Sequence, residues 1–431
     1  MRIRKYYVPL VVIGVSAAAV AGVSTVSADN PALDTVPVGW YGHGYRGHHR
    51  PPPAATVTRT VTRTVTATVT ATVTPTVTVT KTVPPSSTSP TPTTSPSSTT
   101  PTPTPSTTSP TPTPAAVEWL SGAASKYAVD GSLATWRGEP VRIFGTWSDA
   151  QDGSAIAGSL DDPDLNGLNS SYALDIAVGA IWGNQTWNQA ANGAYDEAWL
   201  STLTNLKKKS AAHGILPQNI YIRFAHEMNG FWVPWAVRQG QEADFRKAIT
   251  RFSTLRYQVF GETNAPKVVL CPNYGTTSGY ADPRDLMVKF DDSDRRVVNV
   301  YAVDTYNGYP HRDNYDQIWS WMNSAGSGVP LTIEEHRRVA LANGVPFAVG
   351  EWGNCGIDDP DQCGGGGGEA PAYMEAMNNY FRAHAGDLSN PQPGQFLYEI
   401  QFNLWDQYAI YGPEAHQPLT SAEYRDLTWG S

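Results

Sequence analysis

Eight short apolar runs, separated by longer stretches with helical periodicity, fill the chain from residue 118 onward: EWLSGA (from 118), VRIFGTW (141), LDIAVGAIW (174), IYIRFAHE (220), KVVLCPN (267), VVNVYAVDTYN (297), PFAVGEWG (346) and FLYEIQFNLW (396). Strand-length runs alternating with helical patterns favour a parallel sheet with crossover helices. One of the intervening stretches, AYDEAWLSTLTNLKKKSAAHG, has Asp196 in its first turn, lysines near its end and Gly214 as a stop, the signals that open and close a helix. Eight strand-then-helix units predict an α/β fold closed into a (β/α)8 TIM barrel, and residues 116–431 are long enough to make one.

The first quarter of the chain cannot build a core. Residues 1–28 read as a secretory signal peptide: Arg2, Arg4 and Lys5, then VPLVVIGVSAAAVAGV, then Val26 and Ala28 at the small-residue cleavage positions. The same run also fits a retained anchor, although it is short for a membrane span. Residues 29–115 read as a disordered low-complexity stalk. Its Thr-Val alternation has strand period but lacks large side chains to bury, and its Pro-Thr-Ser tract makes an extended spacer. His43, His48 and His49 lie in a Gly- and Pro-rich tract without a scaffold to fix them, which favours a solvated segment over a metal site. Because residues 1–115 hold eight Lys/Arg and two Asp/Glu, residues 116–431 carry a net charge of −15. That charge argues against nucleic acid as a partner. Cysteines are too few to define the fold; Cys355 and Cys363 are close enough to staple one loop, and Cys271 reads as a buried free thiol. Secretion, a monomer, and surface or cell-wall association through the stalk are the expectations for location and assembly.

In such a barrel chemistry gathers at the C-terminal ends of the strands. RFAHEMNGFWVPW (223–235) puts Glu227 at the end of the fourth strand, and AVGEWG puts Glu351 at the end of the seventh. By strand alternation Arg223, Ala225 and Glu227 share one face. If that face points inward, the buried arginine and glutamate require partners. Two carboxyls facing each other across a mouth suit glycosidic cleavage, where one donates a proton and the other stays ionised. A zinc site is disfavoured because the HE pair lacks the second histidine one turn on, position 230 being Gly. No Gly-x-Ser-x-Gly elbow is present to supply a serine nucleophile. Neither a metal nor any other cofactor is expected.

RFAHEMNGFWVPW resembles the acid/base motif of glycoside hydrolase family 26, retaining endo-β-glycanases typified by β-mannanases and built as (β/α)8 barrels. GEWG resembles the nucleophile motif of that family. The resemblance implies that Glu227 is the acid/base and Glu351 the nucleophile. His226 matches the histidine before the acid, and Trp232, five residues after it, a sugar-stacking tryptophan. VDTYN resembles the sixth-strand motif, in which Asp304 is structural or electrostatic and Tyr306 hydrogen-bonds near the nucleophile, while Trp405 fits the aromatic after the eighth strand that floors the sugar site. The loops SDAQDGSAIAGSLDDPDLNGLNSS and GNCGIDDPDQCGGGGGEAPAY match no subgroup, so mannan, mixed-linkage β-glucan, xylan and an envelope glycan all stand as substrates, mannan first.

Structural readings stand beside these. Arg223 is either a barrel-core ion pair or the cation that holds Glu351 ionised. His226 is either functional or a hydrogen-bonded histidine under the rim. Trp232 and Trp405 are preferred as sugar platforms, since pyranose C–H faces need flat apolar surfaces, whereas Trp352 is preferred as packing. Asp358, Asp359 and Asp361 read as a solvated acidic loop before a calcium site. The expected partner is a polysaccharide substrate, and the rival function is a carbohydrate-binding pseudoenzyme.

Overall fold

Each of the eight apolar runs forms a strand in the computed structural model: β1 Leu120–Ala123, β2 Ile143–Ser148, β3 Ala173–Val178, β4 Ile220–Phe224, β5 Lys267–Leu270, β6 Val300–Asn307, β7 Phe347–Asn354 and β8 Phe396–Gln401. They pair in parallel and in sequence order, and β8 closes on β1. The protein is a (β/α)8 barrel. The structure describes residues 118–148, 166–308, 311–324, 331–357, 363 and 367–430. The signal segment, the stalk with its three histidines, Asp358, Asp359 and Asp361 lie outside the described residues.

Two apolar layers fix which way each strand faces. In β4, Ile220, Ile222 and Phe224 point outward into a layer shared with the helices Asp196–Ala212 and Glu242–Phe260, where Phe224 meets Trp199 and Phe252 at ring-centroid distances of 5.5 and 4.5 Å. Tyr221 and Arg223 consequently point inward, Tyr221 onto a second cluster that fills the barrel with Ile143, Val269, Val300 and Tyr398. Burying each large outward side chain is worth about 1.5–3 kcal/mol. A one-residue slip would forfeit that burial for the whole strand, so the apolar triplet sets the direction of Arg223.

Two departures from eight uniform units bear on the site. The crossover between β5 and β6 has no α-helix but a 3₁₀ turn, Pro283–Leu286; its proline at the start and the glycines Gly275 and Gly279 upstream suit turns rather than a long helix. Strand β7 carries one residue more than β6, since Val303 pairs with Val349 but Asp304 with Glu351. Against β8 the extra residue lies between Val349, paired with Glu399, and Trp352, paired with Gln401, after an opposite shift in which β8 has the extra residue between Phe396 and Glu399. The extra residue in β7 makes a β-bulge at Gly350–Glu351. It puts Gly350 and Glu351 both inside and sends Trp352 outward. A Cβ on Gly350 would lie 2.8 Å from both Asp304 Oδ1 and Cys271 Sγ, so only glycine fits there.

Candidate active site

The local backbone, rather than strand alternation, delivers Glu227. The β4 ladder ends at Phe224, and both Ala225 and Glu227 have left-handed φ angles of 53° and 54°. Ala225 packs in the outer apolar layer, so the expected shared face of Arg223, Ala225 and Glu227 does not exist. The turn instead lifts Glu227 over the rim, where its amide donates to Cys271 O at 2.7 Å. Such a conformation costs a non-glycine residue about 1–3 kcal/mol and persists only where surrounding bonds over-determine it. Here the bonds are Asn273 Nδ2 to Glu227 Oε1 and Trp232 Nε1 to Glu227 Oε2, both 2.6 Å.

Three donors converge on Glu351. Arg223 Nη1 and Trp147 Nε1 donate to Oε1 at 2.6 and 2.5 Å, and the Tyr306 hydroxyl donates to Oε2 at 2.9 Å. Burial, then the charge of Glu351, pushes the Tyr306 phenol well above its usual range, which keeps it a donor. Both glutamates are almost wholly buried, at 4% exposure for Glu227 and 6% for Glu351.

Arg223 is the hub beneath them. Its Nε donates to Asp175 Oδ1 at 2.6 Å, and its Nη1 also lies 3.4 Å from Asp304 Oδ2. Tyr398 completes Asp175 at 2.7 Å, and the Cys271 thiol donates to Asp304 Oδ1 at 3.0 Å. One cation thus faces Asp175, Asp304 and Glu351, with Glu227 nearby. Buried like charges are relieved by protonation. Burial first and Glu351 second raise Asp304 well above the carboxylate range. The same two causes lift Glu227 to about 7, outweighing the opposing bonds from Asn273 and Trp232. The two carboxyls therefore differ in environment: Glu351 has a cation against it, and Glu227 has two neutral donors and a proton affinity suited to general acid–base work near neutrality.

The remaining expected residues divide. Trp232 and Tyr306 touch the two glutamates directly. Trp405 stands half-buried with its ring edge-on to Phe402 at 5.0 Å, in an aromatic cluster with Tyr408, Trp147 and Tyr306. His226 hydrogen-bonds neither glutamate. Its ring packs on Trp235 at 5.3 Å, and its Nδ1 is buried without a partner. Burial, then Arg223, pushes its pKa well down, so the ring is neutral. Trp352 is packing, as expected, boxed by Tyr373, Phe381, Tyr424 and Trp429. Cys271 is free and buried, and Cys355 and Cys363 are joined. Trp147, Asp175, Asn273 and Tyr398 were not singled out from the sequence. Asn273 and Trp147 end the runs KVVLCPN and VRIFGTW, and a polar or indole group at the C-terminal end of a barrel strand is the signal that marks them.

No protein-family model matches the chain, and no curated protein matches it. Among solved structures it is similar to a modular endo-β-1,4-mannanase of glycoside hydrolase family 26 from Cellulomonas fimi, at 14% identity and TM-score 0.47 over 72% of this chain and 70% of that one. It is also similar to the GH26A protein of a Muricauda species, at 15% identity and TM-score 0.36 over 66% and 83% of the two chains. A broad-specificity GH5-4 endoglucanase from Bacteroides salanitronis follows at 15% identity and TM-score 0.42 over 72% and 85%. At TM-scores below 0.5 these likenesses say nothing of the substrate. The chain resembles glycoside hydrolase family 26. That family-26 resemblance rests on RFAHEMNGFWVPW and GEWG, whose glutamates the barrel brings to one mouth.

Proposed function

We propose that the protein is a secreted glycoside hydrolase, a retaining endo-β-glycanase acting on a neutral β-linked polysaccharide, β-1,4-mannan first. The observation that carries this reading is the asymmetric pair: Glu227 lifted to about 7 and Glu351 set against Arg223, Trp147 and Tyr306 in one mouth. In the first step a Glu351 oxygen forms a bond to the anomeric carbon while the glycosidic C–O bond breaks and Glu227 gives its proton to the departing oxygen. Glu227, now ionised, takes a proton from water, whose oxygen attacks the same carbon and releases Glu351. Each step inverts the centre, so the configuration is retained. Trp232 serves both as a platform and as a donor to the acid, and Trp405 offers a second apolar surface beside the Tyr306 side of the mouth. A net charge of −15 on residues 116–431 disfavours acidic polymers.

Purified residues 116–431 incubated with mannan, glucomannan, cereal β-glucan and xylan decide the matter. The expected result is a rapid viscosity fall on mannan with release of reducing ends and retained anomeric configuration. Cleavage of β-glucan alone would defeat the choice of mannan, and inertness toward every β-glycan would leave a carbohydrate-binding protein. In Glu227→Ala, azide should restore turnover of substrates with good leaving groups; Glu351→Ala should form no covalent intermediate.

A further inference from the structure

Strand β8 carries a carboxylic acid on the largely apolar outer face of the barrel wall. Glu399 is wholly buried on the outer face, opposite Val349. It accepts from Trp352 Nε1 at 2.6 Å, from Ser121 Oγ at 2.5 Å and from the Gly122 amide at 3.3 Å. Ser121 in turn accepts from Arg137 Nη1 at 3.0 Å, which also reaches the Tyr424 hydroxyl at 2.9 Å. An ionisable group so placed is costly, and packing alone does not require it. Trp199, Trp187 and Trp429 in the same layer satisfy their indole N–H groups with backbone carbonyls, and Trp119 leaves its own without a partner.

Trp352 differs from these in following Glu351 immediately. Unbroken alternation along β7 from Ala348 and Gly350 would turn Trp352 inward and Glu351 outward. The bulge reverses both, and a bulge leaves one residue outside the ladder. Pairing resumes at Trp352, opposite Thr305 and Gln401, so whatever fixes Trp352 fixes the register on that side of the bulge. We propose that Glu399 is a positioning residue for Glu351: from outside the barrel wall its carboxyl holds Trp352, and through Trp352 the bulge that turns Glu351 into the mouth. This rests on the reading of Glu351 as the nucleophile.

Three variants test it in the full chain. Trp352→Phe keeps an aromatic ring and deletes the N–H; Glu399→Ala deletes the acceptor; Glu399→Gln keeps a carbonyl for Trp352 and turns its amide toward Ser121. On the polysaccharide the wild type cleaves, kcat per folded molecule should fall about tenfold to a hundredfold in the first two, the scale of a misplaced reacting group. KM should stay within about twofold, and Glu399→Gln should recover most of the loss. Crystal structures of Trp352→Phe and Glu399→Ala should show Glu351 withdrawn from Arg223 or Trp147. Lower melting temperature with Glu351 still bonded to both, and unchanged kcat per folded molecule, would overturn the proposal and leave Glu399 a stability residue. A wild type inert toward every β-glycan would instead remove the nucleophile role, and the crystal structures would still decide whether Glu399 places Glu351.

Discussion

Asn273→Ala separates the acid's charge from its position. Asn273 Nδ2 donates to Glu227 Oε1 at 2.6 Å, and its Oδ1 accepts from the Gly275 amide at 2.9 Å, whereas its own amide to Asn229 Oδ1 at 2.9 Å and its carbonyl from Asn229 Nδ2 at 2.7 Å are backbone-made bonds that alanine keeps. The lost donor favours the charged form of Glu227. A hydrogen bond to a charged group is worth about 1.5–3 kcal/mol, and about 1.4 kcal/mol corresponds to one pH unit. Water entering the vacated space returns part of this, so the expected rise is about one unit from a starting value of about 7. The alkaline limb of kcat/KM, where the acid loses its proton, should therefore move from near pH 7 to near pH 8, with little change on the acidic side. Carbon-13 NMR of labelled glutamate carboxyls reads the same titration without substrate. An alkaline limb that stays put or moves to lower pH, in a variant with native circular dichroism, would refute the argument that Asn273 tunes the acid.

Removing the hub cation should be a folding defect as well as a catalytic one: Arg223→Ala strands Asp175 and Glu351 in the interior, and urea titration should show a loss of about 3–5 kcal/mol. Glu399 is lifted to about 7 by burial, from an ordinary 4.5. Its native state therefore holds a proton that the unfolded chain gives up; the stabilisation is complete below pH 4.5 and is lost as pH rises through 7, with a slope of up to about 1.4 kcal/mol per pH unit. In Glu399→Gln the fall in stability across that window should be shallower by this amount, measured by urea unfolding at pH 5 and pH 7. Trp405→Ala should lower kcat/KM on the polymer by at least about tenfold, as loss of a sugar platform would. Its melting temperature should stay near wild type, because the ring is only half-buried; a large loss of melting temperature with unchanged kcat/KM would make Trp405 packing.

Residue types and their order in the runs carried a good deal of this site. Glu227, Glu351, Arg223, Tyr306 and Trp232 stand at or near strand ends, and side-chain chemistry at a strand end can be read without neighbours. The inward direction of Arg223 follows from Ile220, Ile222 and Phe224, which alternate with it. The bulge in β7 was not legible, since it is defined by the residues opposite on β6 and β8. Gly350 is its only local mark, and the reason for that glycine is the crowding by Cys271 and Asp304 from other strands. Left-handed backbone at Ala225 and Glu227 was equally hidden, because neither residue favours it and the bonds that impose it come from Asn273 and Trp232. The missing helix after β5 was lost for a different reason: eight apolar runs announce eight strands but do not say what joins them.

The hub around Arg223 bears on how the molecule fluctuates. Its partners Asp175, Asp304 and Glu351 come from β3, β6 and β7, and the arginine itself is fully buried. None of these three strands can leave without breaking a contact to the buried arginine. Openings that expose surface loops can occur at little cost in free energy, but separating the hub requires breaking the closed ring of strands. Amide exchange at Arg223, Asp304 and Glu351 should thus follow the global unfolding free energy and none of the smaller, local openings. The reacting groups would then belong to the most persistent cooperative unit of the chain, while the surfaces that choose among polysaccharides move on top of it.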